Sequence, residues 1–153
     1  MELKLAADSM LGGLARWLRL LGLDTYYLQH GPGTPLPDRI LLTRRTGRPH
    51  QPRLRGWLEV INLSQNRTLS QLQEAVQALG LKKEDIHPLT RCSVCNHLLQ
   101  KVSKEEVLGR VPEFVYGHHD EFSLCPGCGR IYWPGTHHGR MQVVIQGLWE
   151  NSS

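Results

Sequence analysis

The four cysteines of this chain stand as two Cys-x-x-Cys pairs, Cys92/Cys95 and Cys125/Cys128. Two residues between thiolates let a tight turn aim both sulfurs at one point, and two such turns complete the tetrahedral set that a structural zinc prefers. The second pair reads Cys125-Pro126-Gly127-Cys128-Gly129, with glycines that let the backbone turn its amides towards negatively charged sulfurs. The first, Arg91-Cys92-Ser93-Val94-Cys95-Asn96, is a similar knuckle with Asn where positive φ would be needed. Two disulfides or a redox pair are the competing readings. The opening Met1-Glu2-Leu3-Lys4 carries no basic-then-apolar leader, which disfavours disulfides. A thioredoxin-like site would need only one pair, near a βαβ unit. The expectation is a Cys₄ structural zinc.

A chain of 153 residues buries a sizeable core, while a metal-held module implies that part of it is too small to fold alone. No apolar run approaches transmembrane length, so the sequence reads as a soluble cytoplasmic protein with no membrane partner. Net charge is +4, and the excess belongs to the first part: residues 1–89 hold twelve Lys/Arg against eight Asp/Glu, whereas 90–153 hold six of each. Between positions 39 and 67 seven arginines face one acid, Glu59, and Trp57 lies among them. Such a stretch suits a phosphate backbone and a stacked base. An Arg-rich segment is also often a solvated loop that binds nothing.

Periodicity gives alternating elements. Leu3 to Ala7 is a short buried strand ending at Asp8. Leu11, Leu14, Trp17, Leu18 and Leu21 follow at helical spacing, with Arg16 and Arg19 on the other face and Gly22 as the stop. Thr25–Leu28, Arg39–Thr43 and Trp57–Leu63 read as strands, and Leu69, Leu72, Val76 and Leu79 mark a second helix, capped by Thr68 or Ser70 and ended by Gly80. The segment from Gly31 to Pro37 is too rich in breakers for a helix, and glycine and prolines make the arginine segment an irregular loop. This alternation predicts a small parallel-sheet α/β layer. His87-Pro88-Leu89-Thr90 reads as a linker dividing residues 1–88 from a zinc module over 89–148.

Asp8 is the first catalytic candidate, because ligands of open α/β sheets gather beyond the carboxyl ends of strands. A carboxylate there can hold Mg²⁺ or Mn²⁺ for phosphodiester hydrolysis. From spacing alone it is at least as good a helix cap. Asp24 precedes its strand and Asp38 begins its own, so both belong at the opposite edge, as turn residues.

Ala6-Ala7-Asp8-Ser9-Met10-Leu11-Gly12-Gly13-Leu14-Ala15-Arg16-Trp17-Leu18-Arg19, with Arg39-Ile40-Leu41-Leu42-Thr43-Arg44, the first knuckle, and Cys125-Pro126-x-Cys128-Gly129-Arg130-Ile131-Tyr132-Trp133-Pro134-Gly135-Thr136-His137, resembles the Mut-seven C-terminal RNase domain family over about residues 3–145. The resemblance implies a PIN-like α/β domain fused to a zinc ribbon, with a role in metal-dependent RNA cleavage. The departures fall where catalysis should be. Family members usually continue the Leu-Leu-Thr-Arg strand into an aspartate, where this chain has Arg45, and carry an acidic helix where it has only the stretch from Gln29 to Pro37. Of the family's acids Asp8 alone matches. A guanidinium in place of a carboxylate would repel a cation.

Around the second knuckle His118, His119, His137 and His138 crowd a small module. Since Cys₄ saturates zinc, the simpler reading makes His137 a surface or interface residue, with Tyr132 and Trp133 packing the ribbon against the first domain. The family motif raises His137 as an RNA contact. Two functions stay open. One is a PIN-like ribonuclease with Asp8 as surviving metal ligand and Arg44, Arg45, Arg48, Arg53 and Arg55 positioning phosphate. The other is a catalytically inactive RNA- or protein-binding module. The RNA, any protein partner and the oligomeric state are not legible.

Overall fold

Strict two-residue alternation divides the first strands between two faces. In the computed structural model, which describes residues 2–29, 34–44 and 55–150, strands Lys4–Ala7 (β1), Asp24–Tyr27 (β2), Ile40–Thr43 (β3) and Glu59–Asn62 (β4) form a parallel sheet in the order β2-β1-β3-β4. Leu5, Ala7, Ile40 and Leu42 face the main core; Ala6 and Leu41 face a smaller cluster with Leu28 and Trp57. The expected α/β layer is therefore present.

Helix Gly12–Leu20 (α1) covers the first face with Leu14, Ala15 and Leu18, and helix Thr68–Leu79 (α2) adds Leu72, Ala75 and Val76. The helices approach closely where Gly13 meets Thr68: a Cβ on Gly13 would stand 2.8 Å from the Thr68 Oγ1. Gly22 and Gly80 end the helices at φ +90° and +65°, as their sequence positions predict. The cap of α2 differs from expectation. Arg67 occupies the N-cap position and makes no side-chain cap bond, while Thr68 is already helical. Instead Glu74 reaches back to the Ser64 and Gln65 amides, at 2.9 and 3.3 Å, and so secures the loop before α2.

After α2, Gln100–Val102 (β5), Phe122–Leu124 (β6) and Ile131–Tyr132 (β7) form an antiparallel sheet in the order β5-β6-β7, with the short helix Glu113–His118 (α3) between β5 and β6. Its buried residues include Cys92, Cys125, Val107 and Phe122, a very small apolar core. A core of that size leaves the module dependent on its sulfur cluster. Helix Thr136–Gly147 (α4), which periodicity does not predict, then returns to the main core through Met141 and Ile145, Leu148 follows at its end, and Trp149 Nε1 donates to the Leu81 carbonyl at 2.8 Å. Among the described residues no helix is long and apolar enough to cross a membrane.

The ribbon docks on the amino-terminal edge of the parallel sheet. Arg19, expected on the polar face of α1, is 8% exposed: its Nε donates to the Thr25 carbonyl (2.8 Å), and its Nη1 to the Ser93 (3.2 Å) and Val94 (3.0 Å) carbonyls inside the first knuckle. Asn96 completes the joint. Its Oδ1 accepts from the Thr25 amide at 3.0 Å and its Nδ2 donates to Asp24 at 2.7 Å. Arg39 lies beside them, 2.9 Å from the same Asp24 oxygen and 2.8 Å from the Leu5 carbonyl. Burial alone would raise the Asp24 carboxyl, but the hydrogen bonds from Arg39 and Asn96 outweigh it and hold its pKa below the ordinary carboxylate value.

Asn96 holds φ +67°, so Asn96→Ala combines left-handed strain with two lost hydrogen bonds and should cost about 3 kcal/mol. Asn96→Gly relieves the strain alone and should cost about 2 kcal/mol. Urea unfolding of the metal-loaded variants checks both the sizes and the order.

Candidate functional site

Two sites stand at opposite edges of the sheet. At the amino-terminal side, the Cys92, Cys95, Cys125 and Cys128 sulfurs all lie within 4.8 Å of one another, and none is in a disulfide. Among the described residues this is the only group of three or more His, Cys, Asp or Glu side chains placed to hold a metal ion. Four sulfurs about 2.3 Å from a central Zn²⁺ stand about 3.8 Å apart in a tetrahedron, and Cys92 and Cys128 Sγ are 3.8 Å apart. The donor set and its spacing therefore fit a closed zinc site.

Each knuckle is shaped by its backbone. Asn96 and Gly129, the residues after the second cysteine of each pair, take φ +67° and +77°. The turns close through Asn96 N–H to the Cys92 carbonyl (3.0 Å) and Gly129 N–H to the Cys125 carbonyl (2.9 Å). The Cys95 amide donates to Cys92 Sγ at 3.3 Å. Tyr132 turns into the ribbon rather than towards the first sheet as expected: its hydroxyl stands 3.1 Å from Cys92 Sγ, where it can donate to a metal-bound thiolate, and accepts from the Ser93 amide at 3.3 Å. Trp133 tilts against Phe122 of the ribbon itself, ring centroids 6.4 Å apart. A two-strand hairpin end cannot spare these rings, because its core is so small.

Before an ion binds, the sulfurs differ strongly in acidity. The Arg130 amide bond pulls the Cys128 thiol down to about 6, whereas the hydrogen bond with Cys128, followed by desolvation, pushes Cys95 up to about 12. Burial raises Cys125 as well. At neutral pH an incoming ion meets the Cys128 thiolate and must displace protons from Cys95 and Cys125.

At the carboxyl edge Asp8 is fully buried, next to the end of β3. Its Oδ1 accepts from Ser9 Oγ at 3.1 Å and its Oδ2 from Thr43 Oγ1 at 2.8 Å. The backbone of Asp8 precedes a 3-10 turn, Ser9–Leu11, but its carboxylate makes no cap bond. The helix-cap reading therefore fails, because the side chain points across to β3. Chain order runs from β1 to β2 on one side and then to β3 on the other, so Asp8 and Thr43 flank the topological switch point, where open α/β sheets bind ligands. Sequence reasoning misses Thr43 and Ser9; a hydroxyl beside a strand-end aspartate is the signal that could have found them.

Arg44 follows at once, with Nη2 donating to Asn66 Oδ1 and its Nε buried without a hydrogen-bond partner. Arg55 is exposed, while Arg45, Arg48 and Arg53 lie outside the described residues, as does the His137 side chain. Trp57 is 8% exposed in the smaller core, and so is not available to stack a base. The other acids near the sheet are engaged elsewhere: Asp24 with Arg39 and Asn96 and Asp38 with Lys4 at 3.3 Å, both at the opposite edge, and Glu74 with the Ser64 and Gln65 amides beyond the end of β4.

The Mut7-C RNAse domain model matches residues 3–145, nearly the whole chain. The chain belongs to this family. Neither the curated proteins nor the solved structures compared with it gave a match.

Removing the Tyr132 hydroxyl takes a donor from a metal-bound thiolate, so Tyr132→Phe should lower Zn²⁺ affinity about tenfold with the fold retained. Competition with a chromophoric chelator measures it. Affinity of the wild type should rise with pH between about 6 and 9, since protonated cysteines must ionise to bind; calorimetry in buffers of different ionisation enthalpy reads the proton release.

Proposed function

We propose that this Mut7-C domain binds single-stranded RNA at the carboxyl edge of its parallel sheet and hydrolyses it weakly or not at all, with zinc in the Cys₄ site as a structural ion. The observation that carries this reading is the pairing at the switch point: one buried carboxylate, already accepting from two hydroxyls, beside an arginine whose Nε is unsatisfied. A guanidinium with a free donor suits a phosphate oxygen. The basic segment that follows, with Arg45, Arg48 and Arg53, extends the same charge.

The described residues do not fit a Mg²⁺ or Mn²⁺ centre. Such ions require near-octahedral oxygen ligation, commonly one or two carboxylates with waters and substrate phosphate. Asp8 is wholly shielded from solvent, and the segments outside the described residues contain no Asp or Glu that could join it. The acids of this edge are too few to hold and orient a hydrolytic ion. A ribonuclease remains the second reading, favoured by family membership. Four unpaired cysteines and their zinc chemistry support a reducing, cytoplasmic setting.

Fluorescence anisotropy with labelled single-stranded RNA tests the reading. Affinity should fall steeply with salt, and Arg44→Glu should weaken binding about tenfold or more at low salt. In parallel, wild type and Asp8→Asn should release equally little product with Mn²⁺. Cleavage by wild type that Asp8→Asn abolishes would establish the nuclease reading instead.

A further inference from the structure

Between the docked ribbon and the amino-terminal edge of the sheet lies a groove of about 560 Å³, lined in part by Asp24, Arg39, Arg91, His97 and Gln100. Its volume falls within the range of small-ligand sites, and domain junctions are a preferred place for them. The charge inside is not balanced. Asp24 Oδ1 already takes bonds from Arg39 (2.9 Å) and Asn96 (2.7 Å), whereas Arg91 forms no ion pair among the described residues. One Arg91 donor, Nη1, is held by the Asn96 carbonyl at 2.7 Å, and its Nε is shielded from solvent with no hydrogen-bond partner.

Four such buried, partnerless side-chain atoms occur among the described residues, and two of them are arginine Nε atoms: Arg44 at the carboxyl edge and Arg91 in this groove. A guanidinium that forms no ion pair among the described residues leaves positive charge at the groove, for which an oxyanion is the natural counter-ion. Beside the groove Tyr26 is 49% exposed on the edge strand β2, and Arg39 stands 5.9 Å from its ring centroid. In β2, alternation places Tyr26 on the sheet face that also carries Ala6 and Leu41, the face to which Asp8 and Thr43 belong by the same register. The two edges are separated by the length of β1, about 13 Å at roughly 3.3 Å per residue.

We propose that this groove is a second subsite for the same RNA strand, in which Arg91 and Arg39 receive a phosphate and Tyr26 stacks a base. The proposal rests on the RNA-binding reading above and extends it to the ribbon: the metal module completes a binding surface as well as closing the sheet edge. A positively charged groove paired with an exposed aromatic ring is the combination by which single strands are held without sequence preference.

The test uses the zinc-loaded full chain and a fluorescein-labelled RNA of roughly twelve nucleotides, within the span of common single-strand sites. Tyr26 and Gln100 are both exposed, so Tyr26→Ala and Gln100→Glu should leave the fold and the metal content intact, which circular dichroism and zinc analysis check. Tyr26→Ala should weaken binding about fivefold or more, through the lost stacking platform. Gln100→Glu should weaken it through charge, with the loss shrinking at high salt. If both variants bind like wild type while Arg44→Glu binds worse, the groove assignment is overturned and RNA binding at the carboxyl edge stands. If wild type itself binds no RNA, both assignments fall together.

Discussion

A Cys-x-x-Cys turn that gathers its amides around sulfur leaves its carbonyls pointing outward, and those carbonyls need donors wherever another surface covers them. In this protein Arg19 supplies the donors. Its guanidinium spans from the Thr25 carbonyl, at the start of β2, to the Ser93 and Val94 carbonyls of the first knuckle. A planar fork with five N–H groups can satisfy acceptors from both modules at once, which a lysine ammonium does less well. Cys92 and Cys95 add a favourable field for that buried cation when ionised, opposing the burial that lowers its pKa. The sulfur cluster, the buried arginine and the sheet edge thus depend on one another, and the position of the ribbon follows from the chemistry of its first turn.

Much of this is legible in the sequence because it depends on local rules. The spacing of the cysteines, the apolar periods of α1 and α2, the glycines at 22 and 80, and the strand-end position of Asp8 all follow from short-range pattern. What escapes is tertiary. Arg19 sits at a helix position that reads as solvent-facing until a second module covers it. Trp57 reads as an aromatic among arginines until Leu41 and Ala6 of the sheet give it an apolar face to join. Helix α4 has Met141 and Ile145 as its inward residues, followed by Leu148 just past its end, but a weak apolar stripe around them, so nothing in its own sequence marks it as a cover for the main core. Tyr132, after the second knuckle, reads as an interface ring, because a hydroxyl aimed at a thiolate leaves no trace in spacing.

The placement of the ribbon also separates two kinds of chemistry. Zinc in a closed four-thiolate site has no open position for water or substrate, so it acts on structure and on the surface it shapes. Asp8 lies just past the end of β1, at the opposite edge of the sheet from the sulfurs. The hydroxyls of Ser9 and Thr43 serve Asp8 instead, and the Tyr27 hydroxyl donates to the Ser9 carbonyl at 2.6 Å, fixing the turn that carries it. Gly12 packs against that same ring, where a Cβ would come 3.3 Å from its hydroxyl.

At the switch point the sign of the local charge then decides what the edge attracts. The edge offers a single buried carboxylate, whose oxygens accept from the Ser9 and Thr43 hydroxyls, with the Arg44 guanidinium beside it. On the proposed reading, a divalent cation approaching that edge would meet repulsion before a ligand, and a phosphodiester would meet attraction first. On the proposed reading, an arginine in place of an acid does more than remove a ligand: it would turn the preference of the site from a hydrolytic metal towards the strand itself, and the fold could be kept while the acids are lost.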